Sequence, residues 1–228
     1  EIARVLHAAI LRYPENKFDH SERDYFVLSK GHGVMALYPI LAARGWVSQY
    51  DIESYFEDGS TLPGLYEASI PGCEANTGSL GQGLGVGAGL ALAIKLRGSS
   101  QRVYCLVGDG ELNEGSTFEA LSYIGHSGFQ NFTLIVDLNG LQAMGNTKDI
   151  VTQEGMALVL EGLGFYVVKV DGHDQAKLES LFMDAKTERF DKPLAVLAHT
   201  VKGKGVSFME GNISWHYGRL DDLTLVLA

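Results

Sequence analysis

The sequence predicts an α/β domain, a parallel sheet with helices on both faces, and three observations carry that prediction. From residue 103 onward, apolar runs at 103–107, 132–137, 165–170 and 194–199 alternate with amphipathic stretches at 113–125, 151–162 and 174–187, the pattern of successive βα units. Two of the runs end on polar residues: Val103-Tyr104-Cys105-Leu106-Val107 leads into Gly108-Asp109-Gly110, and Phe132-Thr133-Leu134-Ile135-Val136 into Asp137-Leu138-Asn139-Gly140. Ligands of open α/β sheets sit beyond the carboxyl ends of the strands, so Asp109 and Asn139 are expected to converge there. The chain of 228 residues is 46% hydrophobic, enough for one sizeable core.

The remaining elements follow in order. Residues 1–12 are in helical rhythm and stop near Pro14, and residues 25–28 form a short strand. Lys30-Gly31-His32-Gly33 is a turn opening a helix through Ala43, and residues 51–56 form a short acidic helix. Residues 57–79 show no period and hold Pro63, Gly64, Pro71 and Gly72; such a stretch inside a compact domain is functional or mobile. Residues 80–96 are helical despite Gly81, Gly83, Gly85, Gly87 and Gly89. Each glycine costs roughly 1 kcal/mol against alanine, so close packing against a backbone or a cofactor is expected. The string Gly83-Leu84-Gly85-Val86-Gly87-Ala88 loosely matches a dinucleotide fingerprint. It lacks the preceding strand and the later acidic residue that would make it one. Residues 200–220 read as a Lys/Gly-rich loop and an irregular tail. With no repeat and no linker, residues 1–228 read as one domain, with 200–228 as a loop and tail near the site. The opening, Glu1-Ile2-Ala3-Arg4, is already helical and has no methionine, so a preceding segment is expected.

The net charge of −10 disfavours nonspecific nucleic-acid binding and anionic membranes. It leaves room for a phosphorylated ligand, because local cations and a metal outweigh the global field. Two cysteines, Cys73 and Cys105, make no disulfide framework. No apolar stretch approaches a membrane span and no signal-peptide pattern is present, so a cytoplasmic protein is expected.

Asp109 and Asn139 offer a carboxylate and an amide oxygen, hard ligands suited to magnesium that keeps positions open for phosphate oxygens. The spacing, Gly-Asp-Gly followed about thirty residues later by asparagine, resembles the thiamine diphosphate motif. Further segments extend the likeness: 23–33 (Arg23 to Gly33), Thr77-Gly78-Ser79-Leu80-Gly81-Gln82-Gly83, Gly108-Asp109-Gly110-Glu111-Leu112-Asn113-Glu114-Gly115, Asp171-Gly172-His173-Asp174, 202–210 and Trp215-His216. Together, and in this order, they resemble the N-terminal, diphosphate-binding half of transketolase, closest to the split form in which the two halves are separate polypeptides.

The resemblance implies the thiamine diphosphate-binding fold and a set of roles. Asp109 and Asn139 would hold magnesium, or another divalent cation, through side-chain oxygens, and Leu141 through its carbonyl. Gly108 and Gly110 would let the backbone approach the diphosphate, aided by the N-terminus of the helix that follows. Gly78 and Leu80 would line the rings of the cofactor; a loop turn and a core leucine are the plain alternative. His32 would contact the diphosphate or the substrate, and His216 would face the reacting carbon as a proton-transfer group. Glu114 would sit in a carboxylate network at the partner chain, or else be a solvated first-turn acid. His173 reads as a turn and cap residue, Trp215 as a packing anchor, and Lys202 and Lys204 as a phosphate loop or a solvated one.

The family's activating glutamate lies in a pyrimidine-binding domain. The implied partner is therefore a C-terminal transketolase-like subunit carrying that domain, in an α2β2 assembly. The implied activity is transfer of a two-carbon ketol unit between carbonyl compounds. Two departures bear on it. Where the family reads Pro-Gly-His-Pro, this chain has Pro63-Gly64-Leu65-Tyr66. A site that loses a polar contact to a donor hydroxyl suits a less hydroxylated donor, and the alternative activity is acyl transfer from a 2-keto acid such as pyruvate. Tyr217 follows His216 where the family has a small residue. A catalytically silent scaffold and a nicotinamide-dependent dehydrogenase are the alternatives of other classes.

Overall fold

The computed structural model describes residues 1–228 except 188, 189, 217 and 219; Tyr217 thus lies outside the described residues. Five strands, β1 (Tyr25–Leu28), β2 (Val103–Gly108), β3 (Phe132–Leu138), β6 (Tyr166–Asp171) and β7 (Leu194–His199), form one sheet in the order β1-β2-β3-β7-β6. All its pairings are parallel. β4 (Leu141–Gln142) and β5 (Gly145–Asn146) make a small antiparallel hairpin just after β3.

The helices are α1 (Ile2–Val5), α2 (Tyr38–Ala43), α3 (Gln49–Glu53), α4 (Gln82–Arg97), α5 (Gly115–Ser127), α6 (Thr147–Ile150), α7 (Met156–Gly162), α8 (Gln175–Lys186) and α9 (Asp222–Leu227). Alternate strand residues face opposite ways, and two cores result. Phe26, Leu28, Tyr104, Leu106, Ile135 and Val196 pack with Leu6, Ile10, Leu178 and Phe182 on one face. Val27, Cys105, Val107, Leu134, Val136 and Leu197 pack with Leu84 and Ala88 of α4, Leu121 and Ile124 of α5, and Leu160 of α7 on the other. Cys105 is a fully buried free thiol inside β2, as its place in an apolar run predicts.

The predicted elements are present, with differences at their ends. The first helix passes into one π-helical segment over Leu6–Ile10. The helix expected to open at the turn of residues 30–33 and run through Ala43 is split into a 3-10 segment, Gly31–Ala36, and α2. Pro39 stands in the first turn of α2, where its missing N–H breaks no helical bond. The expected helix 113–125 begins only at Gly115, after a 3-10 segment over Asp109–Asn113. The expected helix 151–162 begins at Met156, because Gly155 takes a left-handed conformation ahead of it. The tail is not wholly irregular: Ile213–His216 is a 3-10 turn, and α9 opens with a capping box between Asp221 and Thr224.

Residues 57–79 contain no helix or strand, yet they are strapped to β1. Arg23 and Glu74 form an ion pair with one contact at 2.8 Å. The Tyr66 hydroxyl donates to the Phe26 carbonyl at 2.7 Å, and the Thr77 hydroxyl to the Leu28 carbonyl at 2.7 Å. A Cβ on Gly31 would lie 2.6 Å from the Thr77 carbonyl oxygen, so only glycine admits this approach. On α4, a Cβ on Gly83 would stand 2.7 Å from the Ser29 Cα, whereas Gly85 and Gly89 face open space. The dinucleotide-like string lies wholly within α4, not at a strand–helix turn.

His7 is 1% exposed, and neither ring nitrogen has a hydrogen-bond partner among the described residues. Burial, with the Arg44 guanidinium, pushes its pKa from 6.5 down to about 3. Between those values the unfolded chain binds a proton that the folded chain refuses, so stability is full above pH 6.5 and is lost as pH falls below it. The expected slope from this group is up to about 1.4 kcal/mol per pH unit. Urea unfolding at pH 7, 6 and 5 should show a shallower loss for His7→Phe than for wild type; equal slopes would refute the assignment.

Candidate active site

The site lies where β1, β2, β3 and β7 end. Asp109, the first residue after β2, is 2% exposed. Its Oδ1 accepts the Gly110 amide at 2.9 Å; its Oδ2 accepts the Gly140 amide at 2.7 Å and the Thr147 hydroxyl at 3.2 Å. The Gln153 carboxamide donates to the Asp109 carbonyl. Burial raises the pKa of Asp109, with a further push from Asp137, against the opposing Gly140 and Gly110 amides and Thr147. The Asn139 amide oxygen accepts the Leu141 amide at 3.1 Å, which aligns the start of β4 beside it.

Asp109 is thus a nearly inaccessible carboxylate held by neutral donors, two backbone amides and a hydroxyl. The Gly140 amide bonded to Asp109 lies between Asn139 and Leu141; with the Asn139 amide oxygen and the Leu141 carbonyl the donor set is all hard oxygen and fits a divalent cation that also binds phosphate. The flanking glycines fit the same account. A Cβ on Gly108 would meet only the Lys30 Cβ, at 3.8 Å, and one on Gly110 would meet the Gln142 side chain from 3.3 Å outward. Neither has a positive φ, so protein packing does not demand glycine at Gly108.

A cationic cluster faces this carboxylate. Lys30 pairs with Asp137, which also accepts from the Thr200 hydroxyl. Burial pushes the Asp137 carboxyl up, but the Lys30 ammonium and these hydrogen bonds hold it below the usual range. Burial lowers the pKa of Lys202, with help from the Lys30 charge. His216 is lowered by burial first, then by Lys202, His32 and Lys30. The rings of His32 and His216 lie 6.2 Å apart, so the tail brings the second histidine to the first. Lys30 and Lys202 thus stand beside Asp109 and Asp137, placing two ammonium groups at the strand ends of a chain of net charge −10.

The other predicted residues are distributed around it. Gly78 has φ +139°, and a Cβ there would lie 3.0 Å from the Leu65 Cδ1, so Leu65 covers the Gly78 backbone. Leu80 is 39% exposed and is not a core leucine. Glu114 is half-buried at the N-cap of α5 without a side-chain capping bond. The helix-terminus expectation at Gly110 needs correction, since α5 starts at Gly115. His173 is a turn residue whose Nε2 accepts the Val201 amide at 2.8 Å, while the cap of α8 is Asp174. Trp215 packs against Phe208 at 5.2 Å between ring centroids. Lys204 is exposed and sits 3.8 Å from Glu210; both lysines line the cleft beside Lys30 and Asp137, and Lys202 is the one within electrostatic reach of Lys30, Asp137 and Asp109.

Sequence reasoning assigned no role to Lys30, Asp137, Thr200 or Glu111. The Glu111 signal was legible: a glutamate three residues after a helix cap reaches back to the cap's own amide, and Glu111 Oε2 accepts the Gly108 amide at 3.0 Å.

A parallel sheet with a buried acid, a spaced asparagine and two lysines at its strand ends fits a cofactor-binding domain for a diphosphate. Residues 1–225 match the family described as transketolase, thiamine diphosphate binding domain, and the chain belongs to that family. It is 38% identical over 217 residues to an apulose-4-phosphate transketolase subunit of Phocaeicola vulgatus, covering 95% of this chain and 77% of that protein. It is 32% identical over 223 residues to the 6-deoxy-6-sulfo-D-fructose transketolase subunit SqwG of a Clostridium species, covering 97% of this chain and 81% of that protein. The crystal structure of Campylobacter jejuni transketolase matches with a TM-score of 0.85 at 33% identity, covering 93% of this chain and 34% of that one. The chain spans about a third of the length of that solved transketolase.

Proposed function

We propose that this chain is the α subunit of a two-component transketolase-like enzyme that moves a two-carbon ketol unit from a ketose to an aldehyde acceptor. The observation that carries the reading is the buried Asp109 carboxylate, hydrogen-bonded to the Gly140 amide next to Asn139, in a chain of this family. Asp109, Asn139 and the Leu141 carbonyl would hold magnesium or another divalent cation. Lys30 and Lys202 would offset the charge of the diphosphate, and Gly78 and Leu80 would line the rings. When bound, thiamine diphosphate supplies the nucleophilic carbon and electron sink for carbon–carbon cleavage. His32 would orient the diphosphate or the donor. His216, kept neutral at pH 7 by burial and Lys202, would take a proton from a donor hydroxyl.

The partner would be a polypeptide with a pyrimidine-binding domain, in an α2β2 assembly; two relatives are themselves named as subunits. Near Glu114, α4 and α5 expose Val86 and Phe118, with Leu80 just ahead of α4, apolar surface suited to such a contact. Residues 1–228 act in this reading as one domain, with 200–228 as the loop and tail beside the site. Two free, buried cysteines suit a cytoplasmic setting. The transketolase names of the relatives weigh against acyl transfer and against a silent scaffold.

Leu65 provides the test against pyruvate. Tyr66 does not replace the missing histidine: it is fully buried, and its hydroxyl is held between the Phe26 carbonyl and the Glu74 amide. The assembled wild type should show a higher kcat/KM for a ketose phosphate such as xylulose 5-phosphate than for pyruvate. Leu65→His should raise that ratio by about 10-fold, equivalent to 1.4 kcal/mol of transition-state binding. A wild-type preference for pyruvate would overturn the ketol reading.

A further inference from the structure

The Glu111 side chain is 1% exposed and joins three segments that are distant in sequence. Oε1 accepts the Ser29 hydroxyl at 2.6 Å and the Gly81 amide at 3.0 Å; Oε2 accepts the Gly108 amide at 3.0 Å. Each donor adjoins a different wall of the site. Ser29 precedes Lys30 at the end of β1, Gly81 follows Leu80, and Gly108 precedes Asp109. Gly81 is left-handed, with φ +81°, at the N-cap of α4, so its amide has no helical partner and depends on this carboxylate.

We infer that Glu111 is a positioning residue: it fixes the ring-lining turn at residues 78–81 and the Lys30 turn relative to the diphosphate-binding Asp109. The inference rests on the cofactor reading above. A carboxylate suits the task because all its sites accept, and two of its three partners are backbone amides that only donate. In Glu111→Gln one carboxamide nitrogen must face an amide N–H at Gly81 or Gly108. The shape of the side chain is kept, but one of the two tethers is replaced by a repulsive contact. The Ser29 hydroxyl can reverse its role; the backbone amides cannot.

The experiment is calorimetric titration of the assembled enzyme with magnesium and thiamine diphosphate, well below its melting temperature, for wild type, Glu111→Gln and Ser29→Ala. A residue that served only stability would lower Tm and leave the affinity of the folded protein alone. The positioning role predicts cofactor affinity weakened at least tenfold in Glu111→Gln and about threefold in Ser29→Ala, together with a lower kcat at saturating cofactor. Ser29→Ala carries the test if Glu111→Gln fails to fold. Cofactor affinities within experimental error of wild type in the folded variants would overturn the inference, whatever happens to Tm. Absence of binding by the wild type would instead refute the cofactor reading itself.

Discussion

Asp109→Ala is expected to abolish magnesium-dependent binding of thiamine diphosphate to the assembled enzyme while the fold survives. The substitution removes the one carboxylate among the proposed metal ligands. Losing an outer partner of a metal ligand costs 10–100-fold in affinity, so loss of the ligand itself should cost at least about 100-fold. The amides of Gly110 and Gly140 would lose their acceptor, a penalty of about 1–3 kcal/mol each. That is bearable within a typical stability of about 5–15 kcal/mol. Asp109→Asn separates charge from shape, because it keeps an acceptor for one amide but not the anion. The raised pKa of Asp109 adds a pH dependence with a definite sign. Protons compete for this carboxylate more strongly than for an ordinary one, so cofactor affinity should weaken on acidification before the usual carboxylate range is reached. Calorimetry with and without magnesium checks both points. Unchanged affinity in Asp109→Ala would remove the metal assignment.

The second large effect concerns assembly. The isolated chain is expected to show no ketol transfer, and addition of the pyrimidine-domain partner should bring activity from background to full turnover. In this reading the chain grips the diphosphate and the metal, while the activating glutamate comes from the partner. The exposed Phe118 of α5, one turn beyond Glu114, should become protected from solvent on assembly. Assays of the two polypeptides, separately and mixed, on preparations freed of host transketolase, decide the matter. Sustained turnover by this chain alone would refute the division of labour.

Much of this was legible in the sequence because the relevant signals are periodic or local. The strands of the parallel sheet read as apolar runs, since both faces of a parallel sheet are covered; the run at 132–137 differs from β3 by one residue. Asp109 and Asn139 announce themselves at strand ends. The β4–β5 hairpin was not legible, because two-residue strands carry no period. Nor was the late start, at Gly115, of the helix expected over 113–125. Residues 109–113 form a 3-10 turn in which Glu111 is held by Ser29 and Gly81, distant partners that no local pattern encodes. The Lys30–Asp137–Thr200 cluster joins residues that only the sheet order β1-β2-β3-β7 brings together, and no spacing rule encodes it. His216 reaches His32 through the fold of the tail, not through any local motif.

The most direct test of the central claim follows the two carbons themselves. The assembled enzyme, with magnesium and thiamine diphosphate, is given a ketose phosphate labelled with carbon-13 at C1 and C2 and an unlabelled aldehyde acceptor. Ketol transfer predicts a product ketose that carries both labels on adjacent carbons, and an unlabelled aldose two carbons shorter than the donor. Product without label, or label released as carbon dioxide, would contradict it.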